Sequence, residues 1–252
     1  MRTTFLKVPF LLIQASLVFL MGLLSFIPYL ANPNAFPLNP IVVVIVHLFL
    51  TFIGSIPALR LSSNSRNEID RMLLPPYFLS LTLLNVFTLA SFAVATSTTI
   101  LPFSLIGKFY TFALAFSSIM PILIGLFHVG INKGRLAPYL FLTFLSSILI
   151  AKMVPLSVAL NPTQPHLWFP INKFLLVPVG LGVIALLTFV FLYLREPSRQ
   201  SLLRLISFIA IVLANVIYIL ATTLVLSWVA IVVFALGIIL SIPNTKFTQY
   251  YT

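Results

Sequence analysis

The chain has 252 residues, 61% of them hydrophobic and 7% charged, with a formal net charge of +11 and a mean hydropathy of +1.17. Ordinary soluble domains carry roughly 25% charged residues, so a soluble globular fold is excluded, and no polar interval is long enough for a separate soluble domain. The absence of cysteine removes disulfides, thiolate catalysis, Cys-ligated metals and iron–sulfur clusters.

A basic start, Arg2 and Lys7, precedes the first apolar run. It has the outline of a signal peptide, but no small-x-small cleavage motif follows, so the sequence predicts a first membrane helix. In chain order the apolar segments run over 8–30, 41–60, 73–97, 101–129, 136–158, 173–194, 203–220 and 222–241. Each reaches or approaches the roughly 20 residues that cross about 30 Å of hydrocarbon. None shows the period-two alternation of a membrane β-strand. The stretch 203–240 is nearly continuous, and its length alone divides it near 220–223. The expected fold is all-α: a polytopic transmembrane bundle of about eight helices, forming a single domain over 1–252.

Lysine and arginine bias loops toward the cytoplasm. With both termini inside, Arg2, Lys7, Arg60, Arg66, Arg71, Lys133, Arg135, Arg195, Arg199, Arg204 and Lys246 fall on the cytoplasmic side, 11 of the 14 basic residues. The N-in/C-in orientation is therefore expected, in the cytoplasmic membrane if the chain is bacterial. Proline marks the outer connections: Pro28, Pro33, Pro37 and Pro40 in the first, Pro155, Pro162, Pro165 and Pro170 in the third. Asn32-Pro33 with Phe36-Pro37-Leu38-Asn39 recurs as Asn161-Pro162 with Phe169-Pro170-Ile171-Asn172. This correspondence predicts two parallel four-helix halves, 1–131 and 132–252.

The chemistry is sparse. Glu68, Asp70 and Glu196 are the only acidic side chains, all in expected cytoplasmic loops. Carboxylate proton relays, paired-carboxylate hydrolysis and Asp-rich magnesium sites therefore lose their functional groups. His47 and His128 fall toward opposite faces, which argues against a shared haem or zinc site; neither metal nor cofactor is expected, and neither is catalysis. The amides of Gln14, Asn85 and Asn215 lie at depth and are expected to bond neighbouring helices. Scarce glycine, 9 residues, points to packing on Ala, Ser and Thr.

Lys108, Lys152 and Lys173 fall toward the outer face, within about 10 Å of it at 1.5 Å per residue. They can snorkel to lipid phosphates, but this chain places no carboxylate beside them, so their counter-charge comes from outside it. Together with His47 and His166 they are the candidate contacts for an anion, a lipid or a partner. The charge is divided among short membrane-flanking loops, which excludes a nucleic-acid role. The expected partners are the lipid bilayer, anionic lipids and other membrane subunits. The leading expectation is a non-catalytic subunit or scaffold of a larger membrane complex; the alternative is a transporter or lipid-handling protein for an anionic or apolar molecule.

Overall fold

The computed structural model describes residues 4–60, 65–98, 100–130, 135–154, 176–221 and 223–241, apart from the side chains of 4–8, 57–60, 65–68, 70–71, 176 and 200. His166, Lys173 and the second proline-rich connection, on which the expected four-helix repeat rests, lie outside the described residues. Among the described residues the structure is helical and contains no strand: α1 (Thr4–Ala31), α2 (Leu38–Arg60), α3 (Ser65–Leu83), a 3-10 turn (Leu84–Phe87), α4 (Thr88–Thr96), α5 (Phe103–Val129), α6 (Leu136–Met153), α7 (Leu176–Arg195), α8 (Arg199–Leu220) and α9 (Leu224–Ser241). Among the described residues eight spans are long and apolar enough to cross a membrane, with α3, the 3-10 turn and α4 forming the third. The chain is thus an integral membrane protein of the multi-pass helical class.

Helix ends follow local chemistry. The α5 helix starts after Pro102, whose carbonyl accepts the amide hydrogens of Leu105 and Ile106, and stops at Gly130, whose φ of 126° few other residues adopt. The α8 helix begins about one turn before the apolar run because Ser198 and Ser201 cap it reciprocally, each hydroxyl accepting the other's backbone N–H. Residues 221–223 separate α8 from α9, as expected from length.

The third span holds the main departure from the sequence reading. It is not one α-helix, because the Asn85 side chain donates to the carbonyls of Leu81 and Thr82. Those are acceptors in the backbone ladder, and this competition accompanies the tighter 3-10 pairing over Leu84–Phe87.

Consecutive spans pack against one another except the fifth and sixth: α7 packs on α5 and α8 rather than on α6. The third and fourth spans are 67% buried, the second and seventh 50%, and the first, fifth and sixth only 22%. A centre of α2, α3–α4, α5 and α8 is therefore flanked by α1, α6, α7 and α9. Helices in lipid gain little from the hydrophobic effect and associate through close packing. Glycine contributes here despite its scarcity: a Cβ at Gly125 would collide with Thr188, and one at Gly237 would collide with Ile211 and crowd the Ser207 carbonyl. At the second crossing the Ser207 hydroxyl also donates to the Gly237 carbonyl at 2.8 Å.

Candidate functional site: a buried polar seam

Within this apolar bundle, polar side chains collect along one line of the third span. Thr82, Asn85, Thr88 and Ser91 recur every third residue and all are buried. Three-residue spacing drifts around an α-helix but eclipses in a 3-10 turn, so the turn at Leu84–Phe87 helps hold the middle of the series on one face.

At its centre, Asn85 Nδ2 lies 3.0 Å from His47 Nδ1, and the Tyr218 hydroxyl donates to Asn85 Oδ1 at 2.9 Å. Nδ2 also faces the Leu81 and Thr82 carbonyls at 3.3 and 3.2 Å. Carbonyls only accept, so the amide orientation follows from chemistry: His47 Nδ1 must be an acceptor, and the ring is neutral with its proton on Nε2. The imidazole stacks on Tyr218, centroids 4.1 Å apart at 16°, with Phe234 at 5.4 Å. One side chain thereby ties α2 and α8 to the broken helix.

One turn toward the start of α3, Gln14 Nε2 donates to the Thr51 carbonyl at 3.3 Å and approaches Thr82 Oγ1 at 3.4 Å, while the Thr51 and Thr82 hydroxyls sit 2.9 Å apart. This orientation leaves Gln14 Oε1 without a hydrogen bond among the described residues. In the other direction, Thr88 and Ser91 line a small cavity with Ser25, Ile41 and Val44, between α1, α2 and α4. It has room for one water molecule at most, and the wall it exposes is apolar. The Thr88 and Ser91 hydroxyls are likewise unbonded among the described residues, as is Oδ1 of Asn215, one turn from Tyr218 on α8. From Thr82 to Ser91 the seam extends about 14 Å at 1.5 Å per residue, roughly half the hydrocarbon thickness.

Of the residues singled out from sequence, His47, Asn85 and Gln14 bond neighbouring helices as expected, whereas Asn215 leaves its oxygen unmatched. The His47 ring packs among Asn85, Tyr218 and Phe234, and Lys173 and His166 lie outside the described residues. Lys108 and Lys152 are exposed on α5 and α6. The sequence reading did not single out Thr51, Thr82, Thr88, Ser91 or Tyr218. The repeat of a polar residue at every third position from Thr82 to Ser91 was the available signal.

No protein-family model, no curated protein and no solved structure matches the chain.

Proposed function

We propose that this protein is a non-catalytic membrane carrier whose path for a small, uncharged, hydrogen-bonding solute follows the seam, closed in this conformation. The observation that carries the reading is the set of unmatched oxygens along the seam, on Thr88 and Ser91 of the third span and on Gln14 of α1 beside Thr82. A buried polar group without a partner costs about 1–3 kcal/mol. A seam serving only to join helices would gain by replacing these groups with apolar ones. Among the described residues they have no partner, and this reading assigns that place to water or a solute. Seam residues are amides, hydroxyls and a neutral imidazole, so they match an uncharged donor–acceptor molecule better than an anion. A helix interrupted near mid-membrane beside polar side chains is also a recurrent arrangement in secondary transporters.

A ligand that binds the folded state stabilises it, by about 2.7 kcal/mol at a concentration one hundred times its Kd. The protein in nanodiscs is screened by thermal unfolding against urea, glycerol and small carboxamides. At least one is expected to stabilise the natural protein and Lys108→Gln but not Asn85→Leu; equal responses from Asn85→Leu would contradict the assignment.

A second reading, a subunit or scaffold of a larger membrane complex, draws on α6. Its buried residues are only Leu136, Thr143, Ser147 and Ala151, a narrow stripe turned to α5, leaving a broad face with Phe141, Leu145 and Leu149 exposed. Under that reading, mild-detergent purification retains another chain, and cross-links from a photoreactive group at Leu142 reach it.

A further inference from the structure

The exposed lysines support an inference independent of the seam. Phe144 of α6 meets Phe112 and Phe116 of α5 edge to face, with centroids 5.4 and 6.4 Å apart, and Phe127 meets Tyr139 farther along at 5.8 Å. These pairs establish an antiparallel junction. Lys108 lies one turn from Phe112, and Lys152 lies two turns from Phe144 through Ile148. Steps of four keep helix residues on one face. At 1.5 Å per residue, the nearest ring pairs bring Lys108 and Lys152 to within about one turn of the same level. Packed helices lie about 8–10 Å apart, so two flexible stems can direct their ammonium groups onto one anion.

The three acidic residues belong to the other end of the bundle. Glu68 and Asp70 occupy the start of α3, and Glu196 follows α7. The short connection 97–102 joins the far end of that span to the start of α5, beside Lys108. Arg195, next to Glu196, donates to the carbonyl of Val129 at the finish of α5. The lysine pair therefore presents positive charge at helix ends where the chain supplies no side-chain carboxylate. Leu105, Phe109, Ile148 and Leu149 are exposed beside it, an apolar flank suited to acyl chains and not to a freely soluble anion.

We propose that Lys108 and Lys152 together bind the phosphate of an anionic phospholipid, whose acyl chains lie against the exposed apolar residues of α5 and α6. The full chain in mild detergent is titrated with phosphatidylglycerol or with phosphatidylcholine of the same acyl chains, and bound lipids are resolved by native mass spectrometry. The natural protein is expected to prefer phosphatidylglycerol. Replacing Lys108→Gln and Lys152→Gln together should weaken its binding by about thirtyfold, each lysine contributing about fivefold. Lys108→Arg with Lys152→Arg should retain the preference, and provides the comparison should the glutamine variant fold poorly. An unchanged preference in the glutamine pair, or equal binding of both lipids by the natural protein, would overturn the proposal. Displacement of phosphatidylglycerol by millimolar inorganic phosphate would also overturn it, by assigning the site to a soluble anion.

Discussion

Asn85 donates to His47 and accepts from Tyr218 while its amide hydrogens also reach two carbonyls of its own helix. Removing it leaves both partners without their bond in a low-dielectric interior, so Asn85→Ala should lower unfolding stability by about 1–3 kcal/mol. Tyr218→Phe removes one hydroxyl and one bond, for which the average interhelical value of about 0.6 kcal/mol applies. Reversible unfolding in mixed micelles checks the order of the two; a Tyr218→Phe loss equal to or above that of Asn85→Ala would contradict the role given to the amide. Depth made Asn85, Gln14 and His47 visible in the sequence, because a polar residue within an apolar run needs a partner. The partner's identity was not visible: Tyr218 lies 133 residues from Asn85, and only the packing of α8 against the centre brings them together.

Helix existence was legible because a span must satisfy its backbone internally and remain apolar for about 20 residues. Interruptions were not, since the 3-10 turn depends on a side-chain competition that leaves hydropathy unchanged. Glycine count was likewise a poor guide to crossings. Gly237 sits where α9 meets α8 and Gly125 where α5 meets α7, whereas a Cβ at Gly22 or Gly180 would meet nothing within 4 Å. Gly237→Ala should therefore destabilise by about 1–3 kcal/mol through overpacking, with Gly22→Ala and Gly180→Ala at or above the natural stability. Thermal unfolding in one detergent compares all three; tolerance of alanine at 237 would show that the crossing can widen without loss.

For the whole molecule, composition and hydropathy were enough to place it in the membrane and to divide it into eight spans. The sequence could not separate the central helices from the flanking ones, because in lipid both are apolar. Burial supplies that distinction, and the seam lies in the buried centre while the lysine pair lies outside it. A carrier along the seam requires water to reach it from each side in turn. The natural absence of cysteine makes this testable, since Ser91→Cys, Thr51→Cys and the lipid-facing control Leu187→Cys each carry a single thiol. In sealed vesicles treated with a small, charged, membrane-impermeant thiosulfonate, the account predicts that Ser91→Cys reacts from the side opposite the termini, that Thr51→Cys reacts from the termini side, and that Leu187→Cys reacts from neither. Labelling at Ser91 and Thr51 as slow as at Leu187 from both sides would contradict it.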